Sequence, residues 1–310
     1  MIKRPLGKTG LSVSAIGFGA WNIGGQWGKV TREEAIATIR AAHDAGVNFF
    51  DTADAYGDPP GLSEELIGEA LAPVRDRAII ATKVGNFARR LGHPIPFTHP
   101  LHVELCCDAS LNRLRTDSID VYQCHLANLT EPQIFLDAFE TLRRKGKIRF
   151  AGSSTEKTEV LKAFNIDGNC AVVQLEYSLV HRDHEDGLLP FAQQHGIGVI
   201  ARGPLAQGVC SGKYSAESRF TDSVRSSWND GARRELFLAQ LKQIERVRFL
   251  DSPARPLAMA ALQYVIAHPA VSTAIVGART PEQARENALA GTHEMSDDER
   301  DRVRSLLAST

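Results

Sequence analysis

A (β/α)8 barrel is the fold this sequence predicts, on three observations. Eight short apolar or β-branched runs alternate with longer stretches of helical period, which is how βα units look. Several of the runs end in a polar side chain, as expected where strand C-termini share one opening. An open doubly wound sheet would want a Gly-rich phosphate turn after an early strand; the nearest stretch, GFGAWNIGG, lacks the third glycine at the required place.

Taken in order, KRPLGKTGLSV reads as a hairpin closing the bottom of the barrel. The strands are SAIGFGA, VNFFDTA, AIIATKV, IDVYQCHL, IRFAGSS, AVVQLEY, GIGVIARG and VSTAIVGA. Between the first two, TREEAIATIRAAHDAG opens with Thr31 and Glu34 at capping-box spacing and closes at Gly46. After the seventh strand, PLAQGVCSGKYSAESRFTDSVRSSWNDGA is a long polar loop followed by two helices, and a loop of that length at a strand's C-terminal end usually covers a ligand. No composition shift or Pro/Ser-rich linker divides residues 1–310, so a single domain is expected.

The 310 residues are 43% apolar and 24% charged, the balance of a globular chain with a sizeable core. A formal net charge of -1 offers no broad attraction to nucleic acid or to an anionic membrane. MIKRPLGKTG lacks a signal peptide's apolar segment and no apolar run approaches the roughly 20 residues of a membrane span, so a cytoplasmic protein is expected. The five cysteines are odd in number and scattered, as reduced and mostly buried thiols would be. His181 and His184, in HRDH, lack a third ligand; they are expected to cap a solvated helix, and no metal is expected.

The chemistry gathers where strands end. Asp51 ends the second strand, Lys83 the third, His125 the fourth, Ser153 and Ser154 the fifth and Gln174 the sixth. A lysine at the end of an apolar strand stays charged only beside a carboxylate, and the adjacent strand supplies Asp51. Such a pair is either structural or catalytic. Tyr56 favours the second reading, because a phenol donates a proton poorly near neutral pH until a cation stabilises its phenolate.

These residues carry a resemblance. GVNFFDTADAYG followed by SEELIGEAL resembles the signature of the aldo-keto reductase superfamily, and ATKVG, ASLNRLRTDSIDVYQCH, RRKGKIRFAGSS, VVQLEYS, GPLAQGVCSGKY and AIVGARTPEQARENA follow in the family's order. The GPLAQG and GKY loop is more similar to bacterial sugar-type reductases and potassium-channel β-subunits than to mammalian aldose reductases. The resemblance implies a barrel that binds NAD(P)H without a Rossmann motif and reduces an aldehyde, ketone or sugar, with Asp51, Tyr56, Lys83 and His125 as catalytic tetrad. Ser153, Ser154 and Gln174 would hold the nicotinamide carboxamide; Gly203, Leu205, Gln207 and Gly208 would run beside the pyrophosphate, with Lys213 and Arg219 as cations further along. Gly277, Arg279, Gln283, Glu286 and Asn287 fall in the adenosine segment, where Arg279 suits the 2′-phosphate of NADPH while Gly277, in place of a lysine common among NADPH-dependent relatives, leaves NADH use open. Arg202 replaces a stacking aromatic and would either stack on the nicotinamide or reach into the pocket. Trp21 and Phe87 would line the pocket mouth, and Asn128 would offer an amide to substrate. The expected partner is a small carbonyl compound or sugar, with the chain a monomer or weak homo-oligomer. The alternative is a cofactor-sensing partner protein with slow turnover, like the channel subunits.

Overall fold

The computed structural model describes residues 1–308. The hairpin pairs β1 (Lys3–Pro5) with β2 (Ser12–Ser14) in antiparallel register. Eight parallel strands then close a barrel: β3 (Ile16–Gly19), β4 (Phe49–Asp51), β5 (Ile79–Val84), β6 (Ile119–Cys124), β7 (Ile148–Ser154), β8 (Val172–Glu176), β9 (Gly198–Arg202) and β10 (Val271–Val276), with β10 pairing back onto β3. The predicted strands are all present; β7 spans its run in full and the other seven are trimmed at one or both ends, where the residues do not complete the hydrogen-bonded ladder.

Leu6, Leu11 and Val13 of the hairpin pack with Phe49, Val121, Ile200 and Ile275 as a buried plug across the barrel's lower end. Gly7 makes that plug possible. It adopts φ +52°, and a Cβ there would lie 2.3 Å from the Gly198 amide nitrogen, so no other residue lets the hairpin approach β9.

The helices around the barrel are α1 (Arg32–Asp44), α2 (Leu62–Leu71), α3 (Phe87–Arg90), α4 (Pro100–Leu114), α5 (Gln133–Arg144), α6 (Thr158–Phe164), α7 (Leu188–Gln194), α8 (Gly231–Arg246), α9 (Leu257–Ala267), α10 (Pro281–Ala290) and α11 (Asp297–Ala308). The capping box at α1 forms as the spacing predicts: Thr31 Oγ1 accepts from the Glu34 N–H and the Glu34 carboxylate accepts from the Thr31 N–H. The main core lies between the strands' outer faces and these helices, and includes Phe50, Tyr122, Phe139 and Tyr264. Among the described residues, no helix is long and apolar enough to cross a membrane. All five cysteines are free; Cys106 is half-buried and the other four are buried.

Candidate active site

Register brings the polar strand ends to one opening. Gly19 pairs with Asp51, Asp51 with Ala81, and Lys83 with Gln123 across adjacent strands. Asp51 and Lys83 are both buried, with Lys83 Nζ 2.5 Å from Asp51 Oδ1 and 2.8 Å from the Thr52 carbonyl oxygen. The second carboxylate oxygen accepts from Gln174 Nε2 at 2.7 Å. Burial alone would lower the Lys83 ammonium's pKa, but the Asp51 carboxylate and then the Tyr56 oxygen reverse the sign and raise it, so the ammonium is held charged, while burial raises the Asp51 carboxyl against the opposing pull of Lys83.

Lys83 Nζ also donates toward Tyr56 Oη at 3.4 Å, and lies 4.8 Å from the centre of the tyrosine ring. The Tyr56 ring stands between Trp21, stacked at 6.1 Å, and His125, edge-on at 5.8 Å. Burial, then the positive charges of Lys83, Arg202 and Arg89, push the His125 pKa down to about 3, so its imidazole is neutral at physiological pH. The structure therefore gathers Asp51, Tyr56, Lys83 and His125 into one cluster, with Trp21 against it.

The remaining candidates form an arc around the opening. Ser153 is fully buried and its Oγ has no hydrogen-bond partner; Ser154, beside it on β7, is buried but for 8% of its surface. A buried hydroxyl with no protein partner fits a ligand amide, since leaving it unsatisfied is costly. Ala206, Gln207 and Gly208 all take positive φ, and a Cβ on Gly208 would meet the Tyr214 ring at 2.9 Å. This tight turn, entered from Gly203 at φ +60° and half-buried Leu205, suits close backbone approach to phosphate oxygens. Lys213 and Arg219 are exposed beyond it, and the Arg219 guanidinium donates to the carbonyls of Glu217 and Ser218.

On the other side, Thr280 caps α10 by accepting from the Gln283 N–H, and the Gln283 side chain accepts from the Arg279 N–H at 3.0 Å. Arg279 Nη1 donates to the Trp27 carbonyl at 2.9 Å. Asn287 Nδ2 donates to the Gly277 carbonyl, while Glu286 is exposed on the same helix. A Cβ at Gly277 would lie 1.9 Å from Asn22 Oδ1, so the asparagine occupies the room a longer residue at 277 would need. The loop after β9 reaches across this arc: Ser223 donates to the Gln26 carbonyl at 2.9 Å, and the Arg225 guanidinium sits 5.3 Å above the Trp27 ring.

Three expectations change. Phe87 turns away from the opening; its ring faces Arg113 of α4 and lines a separate cavity, because the chain folds outward into α3 directly after Asn86. Arg202 does not point free, since Nη2 lies 2.7 Å from Glu156 and 3.4 Å from Glu176, two acids that neutralise it. Asn128 is exposed. His181 and His184 cap no helix, for α7 starts at Leu188 behind Gly187 as N-cap, without a side-chain cap; His184 Nε2 lies 2.5 Å from Glu156 and His181 Nε2 3.1 Å from Gln240 Nε2. Among the described residues, no group of three or more His, Cys, Asp or Glu side chains could hold a metal ion.

Sequence reasoning passed over Gln123, whose buried amide has no hydrogen-bond partner, and Glu156, which joins Arg202 to His184. Strand alternation was the available signal for Gln123, two residues before His125 and hence on the same face of the chain. Asn22, Gln26 and Trp27 carried no such signal.

Residues 15–308 match the model of the aldo/keto reductase family. Aldo-keto reductase AKR11C1 from Bacillus halodurans, in its holo form, superposes with a TM-score of 0.83 at 31% identity over 99% of this chain and 96% of that one. An aldo-keto reductase from Klebsiella pneumoniae, in complex with NADPH, gives 0.74 at 29% identity over 99% and 96%. NADH-specific methylglyoxal reductase of Escherichia coli (strain K12) is 30% identical over 96% of this chain and 95% of its own. With the barrel, the ordered motifs and these relatives in agreement, the chain belongs to the aldo/keto reductase family and is an NAD(P)-dependent reductase.

Proposed function

We propose that this enzyme reduces an aldehyde, ketone or sugar carbonyl, with Tyr56 as the proton donor, and that it prefers NADPH. The observation that carries the reading is the placement of Lys83 Nζ between Asp51 Oδ1 and Tyr56 Oη, beside a neutral histidine. Bound nicotinamide supplies a hydride to the carbonyl carbon. As negative charge develops on the carbonyl oxygen, Tyr56 gives it a proton, and the Lys83 ammonium balances the charge left on the phenol oxygen. Asp51 and the Thr52 carbonyl hold that ammonium in place. His125 is excluded as the acid because its neutral ring has no extra proton to give near pH 7; it hydrogen-bonds the carbonyl oxygen and keeps it in line. In the oxidative direction Tyr56 is the base.

Ser153, Ser154 and Gln174 are the residues that would hold the carboxamide. The buried, unpartnered Ser153 hydroxyl supports that fit. For the adenosine phosphate the cation would be Arg279, since position 277 is a glycine with the Asn22 side chain packed against it. Losing one charge-assisted hydrogen bond weakens binding by about 10- to 100-fold. Arg279→Ala should therefore raise the Kd for NADPH by that factor and leave NADH almost unchanged, measured at fixed low salt. Equal losses for both would mean that Arg279 serves only to tie the Trp27 loop. Turnover of a panel of carbonyls and sugars with each cofactor tests the reaction itself; tight cofactor binding without turnover of any member would refute it.

A further inference from the structure

Besides burial, three positive charges bear on His125: those of Lys83, Arg202 and Arg89. Lys83 is neutralised by Asp51, and Arg202 by Glu156 and Glu176. Arg89 has no such partner. Its side chain is exposed, and among the described residues its guanidinium makes no hydrogen bond and no ion pair. Asp58 and Glu131, the exposed acids of the neighbouring loops, form no ion pair with it, and residues 85–103 contain no Asp or Glu.

The backbone sets that charge over the barrel opening. Asn86 Nδ2 donates to the His125 carbonyl at 3.0 Å, and a Cβ on Gly85, which takes φ +137°, would lie 3.0 Å from Leu126 Cγ. The start of α3 is thus fastened to the chain that carries His125. Phe87 and Ala88 both line the cavity between α3 and α4, which also touches Asp54, so that face of α3 looks away from the barrel. Successive helical residues turn by about 100°, which puts Arg89 about 150° from the middle of that face and aims it back toward His125. Arg89 does not line the cavity. It follows β5, between the loops after β3, β4 and β6 that supply Trp21, Tyr56 and His125, whereas the cofactor candidates belong to β7 through β10 and the segments after them. The free charge therefore stands on the substrate side of the opening.

We propose that Arg89 determines substrate choice, by selecting carbonyl compounds that carry an oxyanion group, a carboxylate or a phosphate, at the end remote from the reacting carbon. A guanidinium presents a planar fork of donors that matches either group, and this one has no protein acceptor to displace. The carbonyl would lie at Tyr56 and His125 while the anionic end reaches the rim. This role rests on the proposed carbonyl reduction and narrows its substrate class.

The test measures kcat/KM with NADPH at low salt for 4-formylbenzoate, 3-(4-formylphenyl)propanoate and 4-formylphenyl phosphate, each against the uncharged methyl 4-formylbenzoate. At least one anionic aldehyde should be preferred over the ester by about 5- to 10-fold, through KM, and which one it is distinguishes carboxylate from phosphate. Arg89→Ala should abolish the preference and leave the ester unchanged, and Arg89→Glu should reverse it; added salt should draw wild type and Arg89→Glu together. All are substitutions at an exposed position and should fold as wild type does. Arg90→Ala, the same loss of charge one residue on, should keep the preference. No preference in wild type, a preference that survives in Arg89→Ala, or an equal loss in Arg90→Ala would overturn the proposal, the last by assigning the effect to diffuse surface charge. Failure to turn over any of the four aldehydes would instead refute the reduction itself. Calorimetric Kd values on the NADP-saturated chain then decide the role of Arg89 without turnover: Arg89→Ala should weaken 4-(hydroxymethyl)benzoate by about 5- to 10-fold and leave benzyl alcohol unchanged, and equal affinities in the two proteins would overturn it.

Discussion

Asp51 and Asp54 are separated by two residues, both are buried, and they have opposite surroundings. Asp51 lies inside the barrel, where Lys83 and Gln174 donate to its two oxygens. Asp54 lies on the outer side, where one oxygen accepts from the Gly85 amide and the other has no partner. Burial pushes both carboxyls upward; at Asp51 the Lys83 charge opposes it, whereas at Asp54 the next largest influence, Glu64, adds to it and the carboxyl reaches about 7. The same residue type thus serves two ends. A buried carboxylate with a resident cation is part of a preorganised charge array, and one without it is a costly group.

Removing the cation breaks the comparison most sharply. Lys83→Met leaves Asp51 buried with no cation bonded to it, as Asp54 is now, and should cost about 3–5 kcal/mol of stability. Activity should fall as well, because the charge left on Tyr56 is no longer balanced. Denaturant unfolding and kcat on the same preparation measure both; unchanged stability would mean that Gln174 and the surrounding dipoles suffice for Asp51.

Asp54→Asn sharpens the contrast from the other side. The Asp54 pKa rises on folding, so its contribution to stability is fully present below its unfolded value near 3.8 and is lost as pH rises through about 7. The asparagine variant lacks that penalty and should gain roughly 1–3 kcal/mol over wild type at pH 8, and little or nothing at pH 4. Thermal melts of the two proteins across that range decide it. A constant difference would mean that Asp54 does not titrate as the structure indicates.

His125, whose depressed pKa has the opposite linkage, supplies the acid-side counterpart. Its neutral form is favoured by folding, so the contribution is present above the unfolded value of about 6.5 and is lost as pH falls toward about 3. His125→Asn should flatten that acid-side slope. A slope unchanged by the substitution would assign it to other groups.

What was legible in the sequence follows the same division. The eight strands, the capping box and the strand-end positions of Asp51, Lys83 and His125 were readable, because each depends on local period or on parallel register between neighbouring strands. The ion pair was readable from cost alone, since a lysine ending an apolar strand needs a carboxylate. The direction of Phe87, the Asn22 side chain filling the space beside Gly277, and the Ser223 contact with Gln26 were not. Each is set by where a loop travels after its strand ends, and by partners far away in the chain. The cavity beside Asp54 was hidden for that reason too: the opening motif contains both aspartates, and only packing separates the one that faces Lys83 from the one that does not.

The central claim is that the Asp51 and Lys83 pair serves Tyr56 as proton donor. Steady-state turnover of nitrobenzaldehyde by Tyr56→Phe, with NADPH affinity measured on the same protein, tests it most directly. The account predicts a fall in kcat of roughly 10²–10⁴, the usual worth of a general acid, with Kd for NADPH close to that of wild type because other residues hold the cofactor. A kcat near the wild-type value would show that the proton comes from elsewhere.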